Sequence, residues 1–230
     1  MSRVLRVAAG QTIVLFNGDG HDYTAEVVRP GKKEISLTVI SRLPAVRESG
    51  LKITVVQAIS RGERMDQTLQ KCTELGVAAF QPLFSERVEV RLRAEKLTRR
   101  LEHWQGVVIS ACEQSGRAVI PGVLAALDFA DWLDNSDADC RLILVPGAET
   151  PLSSVELHGH VQLVVGPEGG FSEIELGLAR SHGVESVSLG PRVLRTETAA
   201  PAAVAVLQAM AGDLGKMGSG KIGSGKMGSE

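Results

Sequence analysis

VQLVVGPEGGFSEIELGLARSHGVESVSLGPRVLRTETAA, residues 161–200, is the stretch from which the rest of the chain is read. It begins with an apolar run, Val161 to Val165, which Gly166, Pro167, Gly169 and Gly170 break. Ser172 followed three residues later by Glu175 is the signature of a capping box, and Phe171 and Leu176 hold the two positions of a hydrophobic staple around it. The reading is strand, glycine loop, capped helix. A second strand, Ser186 to Leu189, runs into the loop Gly190 to Thr196 and a helix from Glu197 to about Met210. Two glycine-bearing loops at the ends of neighbouring parallel strands predict a ligand site at that edge of an α/β sheet.

Upstream, Arg141 to Val145 is another buried strand, and Pro146-Gly147-Ala148-Glu149 adds a third strand-end loop. Leu51 to Ala58 is rich in β-branched residues and favours extension. Met65, Leu69, Cys72 and Leu75 recur at helical spacing before Gly76, a C-cap residue, and Val77 to Phe84 is extended again. That is a βαβ unit. Strands near 51, 78, 141, 161 and 185 predict a five-stranded, mostly parallel sheet with flanking helices. Leu97, Leu101, Trp104, Val107, Val108 and Ala111 give one long helix its inner face, and Leu127, Phe129 and Trp132 a shorter one. Arg87 to Arg100 is the densest basic stretch, readable as a phosphate-contacting segment or as a solvated face. Glu113 to Arg117 reads as a substrate-facing loop or an exposed turn.

The first fifty residues have a different texture. Strands are expected at 3–8, 11–16, 22–29 and 34–43, with turns at Asn17-Gly18-Asp19-Gly20 and Pro30-Gly31. They make a small sheet or barrel, on which Arg3, Arg6, Arg29, Lys32 and Lys33 either face phosphate or simply meet water. Pro44 to Gly50 is a linker. Residues 215–229 repeat a Gly-Lys-Met-Gly-Ser pattern with no core-forming period, which predicts disorder.

Composition narrows the chemistry. A formal charge of -2 over 230 residues exerts no global pull on nucleic acid, so any RNA contact must come from a local patch. No apolar run has the length of a membrane span, and the start lacks a signal-peptide core. Cys72, Cys112 and Cys140 form no CxxC pair, which favours a reducing, cytoplasmic setting. The five histidines make no metal-ligand set, so no metal is expected. Neither GxGxxG nor a phosphate-binding P-loop is present in the loops. Glu168, in the middle of GPEGG, opposes phosphate and favours hydroxyls, amines or a cation. A nucleoside carrying a sulfonium, such as S-adenosyl-L-methionine, suits that character; a rigid structural turn is the alternative.

LVVGPEGGFSEIE (163–175) with VSLGPRVLRTETA (187–199) resembles the RsmE family, 16S ribosomal RNA uracil-N3 methyltransferases of the SPOUT superfamily. RMDQTLQKCTELGV (64–77), Pro82, SERVEVR (85–91), HW (103–104), ACEQSGR (111–117) and Pro121 agree in the same order, over about residues 3 to 210. The resemblance implies a SPOUT-type, trefoil-knotted, mostly parallel sheet with flanking helices over residues 46–212. It implies a PUA-like, RNA-binding β-barrel over residues 1–45, truncated because the chain opens at the family's second strand. The tail, 213–230, has no counterpart. The implied methyl donor is S-adenosyl-L-methionine, its pocket mapping to Val145, Pro146 and Gly147, to Gly166, Pro167, Glu168, Gly169 and Gly170, and to Leu189, Gly190, Leu194, Thr198 and Ala199. Arg195 is the candidate for stabilising charge on the reacting uracil, with a phosphate clamp or a salt bridge to Glu197 as its other readings. Glu197 either removes the N3 proton or caps its own helix. Arg3, Arg6, Arg91, Arg93, Gln114 and Arg117 are the candidate RNA contacts. The partners implied are 16S ribosomal RNA within the small subunit and a second copy, as a homodimer. Two other readings stand beside this one: a SPOUT enzyme acting on ribose 2′-OH or guanine N1, and a non-catalytic ribosome-binding protein with a vestigial pocket.

Overall fold

Asn17 Oδ1 accepts from the Asp19 amide (3.1 Å) and Asp19 Oδ1 from the His21 amide (3.0 Å), while Gly18 and Gly20 take φ of 92° and 81°. These side-chain turns and left-handed glycines reverse the chain between β1 (Thr12–Leu15) and β2 (His21–Arg29). β3 (Ser36–Pro44) pairs on the other side of β2, giving an antiparallel sheet in the order β1-β2-β3. The computed structural model describes residues 7–31, 34–88 and 94–214. The strand expected at 3–8 falls mostly outside these residues, and Val7 and Ala8 belong to no strand. Arg3, Arg6, Lys32, Lys33, Arg91, Arg93 and the repeat tail also lie outside the described residues.

The remainder is α/β. β4 (Ile53–Ala58) is buried at every position, as its unbroken apolar character requires of a strand covered on both faces. It is followed by α1 (Arg64–Glu74), β5 (Ala79–Phe84) and α2 (Ala94–Ser115). Next come β6 (Gly122–Val123), β7 (Leu127–Asp128), α3 (Phe129–Asn135), β8 (Cys140–Leu144) and β9 (Thr150–Pro151). β10 (Val161–Val165), α4 (Glu173–Ser181), β11 (Glu185–Ser188) and α5 (Thr196–Ala211) complete it. The strands run β6-β5-β4-β10-β8-β11-β9, with β7 beside β5, and every pairing is parallel. Eight strands replace the five expected. The three extra ones, β6, β7 and β9, have two residues each, too short to leave a periodic signal.

One expectation is corrected. β10 and β11 are not neighbours: β8 lies between them, paired to each. The chain leaves β8 for the edge strand β9 and then inserts the wholly buried β10 between β4 and β8. The sheet divides the core by alternation along the strands. Ile53, Val55 and Leu163 pack with Met65, Trp104 and Leu207 on the side of α1, α2 and α5. Val56, Ile143 and Val164 pack with Trp132, Phe171 and Ala179 on the side of α3 and α4.

Arg117 brings a second correction. Expected to meet RNA, it is buried at the join between the two sheets. Its Nε and Nη2 donate to Glu48 Oε2 (3.1 and 2.6 Å), and its Nη1 to the carbonyls of Thr73 (2.9 Å) and Val77 (2.8 Å). Glu48 Oε1 in turn accepts from the amides of Ala118 and Val119. The charge is spent inside the protein. Beside it, Arg47 Nη2 donates to both carboxylate oxygens of Asp22 (2.7 and 2.8 Å) and Nε to the Gly116 carbonyl (2.7 Å), tying β2 to the exit of α2. All three cysteines are free and buried. Among the described residues no helix is long and apolar enough to cross a membrane, and no group of acids, histidines and cysteines could hold a metal ion.

Candidate active site

The turn after β10 is fixed from within. The Gly170 amide donates to the Pro167 carbonyl (2.9 Å) and Gly170 takes φ 67°. At Gly166 a Cβ would stand 3.0 Å from the Phe171 ring, so glycine is required by close approach. The capping box forms as read: Ser172 Oγ accepts from the Glu175 amide (3.3 Å), and Glu175 Oε2 from the Ser172 amide (2.9 Å). Glu175 Oε1 also accepts from the Glu86 amide (2.8 Å), which ties the segment after β5 to the start of α4. Phe171 and Leu176, the staple pair, belong to one apolar cluster.

Glu168 does not float in this turn. Arg64 Nη1, at the first position of α1, donates to its Oε1 at 2.5 Å. Burial pushes the Glu168 carboxyl up, but hydrogen bonds from its own backbone, the Arg64 guanidinium and the Arg61 backbone outweigh this and hold it below its usual value. Arg87 Nη1 donates to the Gly169 carbonyl (2.8 Å). Two arginines from neighbouring strand-end loops therefore grip GPEGG.

The second wall follows β11. Leu189 to Leu194 lead into α5, where Arg195 takes the N-cap position with an extended backbone, its carbonyl accepting from the amides of Thr198 (2.9 Å) and Ala199 (2.8 Å). The Arg195 side chain makes no cap hydrogen bond, and the residue is exposed. Glu197 sits in the first turn of α5, where a carboxylate is favoured by the helix dipole. Its Oε2 is buried without a hydrogen-bond partner and lies 3.9 Å from Arg64 Nε. Thr196 Oγ1 is likewise buried and unpartnered. The third wall follows β8, whose end is held by the Val145 amide donating to the Val187 carbonyl (2.9 Å).

These walls enclose a cavity of about 710 Å³. Val145 and Pro146 line it, as do all five residues from Gly166 to Gly170. So do Leu189, Gly190, Leu194 and Ala199, with Arg195 and Glu197. Gly147 and Thr198, expected in the site, do not line it. Gly147, at φ 81°, turns the chain so that the Ala148 amide meets the Val145 carbonyl. Thr198 is exposed, one residue round the helix from Glu197. Gln114 is exposed at the end of α2 and is not part of the cavity. The sequence reading misses Arg64, Phe171, Arg192 and Thr196, which also line it. Arg64 has a usable signal: it opens the helix after β4, so its loop emerges at the same carboxyl edge as the others.

The cavity suits a nucleoside with a cationic arm. Its volume is that of a small-molecule site. Leu189 and Leu194 offer apolar surface for a base, the glycine turns leave backbone within reach, and Glu168 and Glu197 supply negative charge. The unpartnered Thr196 Oγ1 and Glu197 Oε2 are oxygens that a bound group can satisfy.

A family model described as an RNA methyltransferase domain matches residues 47–208, and one described as an RNA methyltransferase PUA domain matches residues 1–40. The ribosomal RNA small subunit methyltransferase E of Buchnera aphidicola (subsp. Acyrthosiphon pisum) is 31% identical over 215 residues, 93% of this chain and 85% of that protein. The protein of that name from Neisseria gonorrhoeae, solved bound to S-adenosyl methionine, is 42% identical with a TM-score of 0.86, over 91% of this chain and 87% of that one. A Legionella pneumophila protein solved with bound SAM is 43% identical with a TM-score of 0.88, over 92% and 88%.

Proposed function

Because the chain belongs to the ribosomal RNA small subunit methyltransferase E family, we propose that it transfers a methyl group from S-adenosyl-L-methionine to N3 of a uridine in 16S ribosomal RNA. The observation that carries this is the cavity itself: three glycine- and proline-bearing strand-end loops around two carboxylates, with an uncommitted arginine, Arg195, beside them.

Bound there, the donor supplies an electrophilic methyl carbon; the protein supplies placement and charge. The Gly166–Gly170 turn and Leu189 to Leu194 hold the adenosine, with Val145, Pro146 and Ala199 closing the remaining sides. Uracil N3 must lose its proton to become a nucleophile, and negative charge then spreads over O2 and O4. Arg195 stabilises that charge, and Glu197, with one oxygen open, takes the proton. The target base stands in folded RNA and must leave its stack to reach the cavity.

On the same reading, residues 46–212 are the SPOUT domain with its trefoil knot and residues 1–45 the RNA-reading module. Arg3, Arg6, Arg91, Arg93 and Gln114 contact RNA in the small subunit. Two copies pair, with the site near their interface, and the enzyme works in the cytoplasm, where its three cysteines stay reduced.

The test is Arg195→Ala. Methyl transfer falls by at least about 100-fold, the cost of removing one group that stabilises developing charge. Calorimetric affinity for the donor stays within about threefold. Mass spectrometry of the treated RNA locates the methyl group on uracil N3. Parallel loss of affinity and rate makes Arg195 a binding residue instead, and a methyl group on ribose or guanine rejects the reaction.

A further inference from the structure

We infer that Arg64 is the positioning residue for Glu197: it holds that carboxylate ionised and aimed while its other arm clamps the donor loop through Glu168. The inference deepens the proposed reaction and rests on Glu197 being the proton acceptor.

The geometry is unequal on its two sides. A guanidinium offers five N–H donors in a rigid fork. Arg64 commits Nη1 to Glu168 at 2.5 Å, and presents Nε to Glu197 Oε2 at 3.9 Å, near enough for charge and too far for a hydrogen bond. Glu197 Oε2 is buried and has no other partner. A loop strut would have both bonds made. Here the positive charge compensates Glu197 while leaving its lone pairs open, which is the condition a proton acceptor needs. The N3 proton passes to Glu197 Oε2, the electron pair stays on N3, and the proton later leaves to water.

The charged groups around Glu197 come from four elements. Arg64 comes from α1 and Glu168 from the β10–α4 loop. Glu173 comes from α4, and Arg192 and Arg195 from the approach to α5. Arg64 is the cation that meets both Glu168 and Glu197. Without it, two carboxylates share one cavity with no bridge between them, and the proton affinity of Glu197 rises.

The experiment uses the full chain, S-adenosyl-L-methionine and unmodified 16S ribosomal RNA, with R64M, R64Q and E197Q. The readouts are kcat against pH, donor affinity by calorimetry, and thermal melting to confirm folding. R64M lowers kcat about 100-fold, the scale of a lost acid–base contribution, and moves the acid limb of the profile up by about one unit. R64Q, which keeps a donor for Glu168 but no charge, retains more donor affinity than R64M and shows the same limb shift. An unmoved limb in either folded variant, whatever the donor affinity, makes Arg64 a strut and overturns the inference. E197Q separates the two levels. Wild-type kcat in E197Q removes Glu197 as proton acceptor and with it the reading underneath; an inactive E197Q beside an unmoved R64Q limb removes Arg64 alone.

Discussion

Replacing Arg117 with Met removes a guanidinium that is 6% exposed and bonded on three sides. The loss has two parts. The carbonyls of Thr73 and Val77 lose a donor in the interior, and Glu48, 23% exposed, keeps its charge with only the Ala118 and Val119 amides on its other oxygen. Breaking a buried pair by deleting one partner costs about 3–5 kcal/mol. At about 2–4 °C per kcal/mol for a chain of this size, melting falls by roughly 6–20 °C. Urea denaturation of the wild type, R117M and R117K measures it. Lysine restores little, because an ammonium cannot span Glu48 and two carbonyls in one plane. Below the melting transition R117M binds the donor as the wild type does, since the cavity lies at the other edge of the sheet. A loss of under about 1 kcal/mol, together with a large loss of RNA affinity, refutes this and returns Arg117 to the RNA surface that the sequence suggests.

Gly166→Ala places a methyl 3.0 and 3.2 Å from two Phe171 ring atoms, whereas at Gly169 it meets Arg87 at an ordinary 3.4 and 3.5 Å. Calorimetry shows G166A weakening donor binding about tenfold, through overpacking on the order of 1–3 kcal/mol, and G169A much less; the reverse order rejects the placement of the turn. The Tyr23 hydroxyl first, against a small opposing effect of burial, and then the His21 amide and Arg42 lower the Asp19 carboxyl from 3.8 to about 2. A depressed carboxyl stabilises the folded hairpin fully above the unfolded value and loses that support as pH falls from about 3.8 through 2. A carboxyl NMR titration of Asp19 with its midpoint near 3.8 rejects this.

What the sequence reveals here is what a short window contains. Ser172 and Glu175 cap α4 as read because their partners are three residues apart. The glycine turn after Val165 and the dipeptides that break the hairpins are equally local. Arg117 is misread for the opposite reason: Glu48 lies 69 residues away, and nothing near Arg117 announces it. Strand order fails the same way, since apolar runs identify β10 and β11 without saying that β8 separates them. Arg64 escapes notice because its role comes from Glu168, 104 residues later. Five strands, three loops and most of the cavity lining are thus visible in the sequence, and the long-range salt links that orient them are not.

β4 waits for its second neighbour. It pairs with β5 as soon as α1 is made, but its other edge is filled only by β10, roughly a hundred residues later in synthesis. At about 5–20 residues per second, a nascent chain carries an apolar strand with one side unpaired for some 5–20 seconds. During that interval Ile53 to Ala58 is a template for any other extended segment, so crowded translation or a missing chaperone should show first as aggregation of incomplete chains.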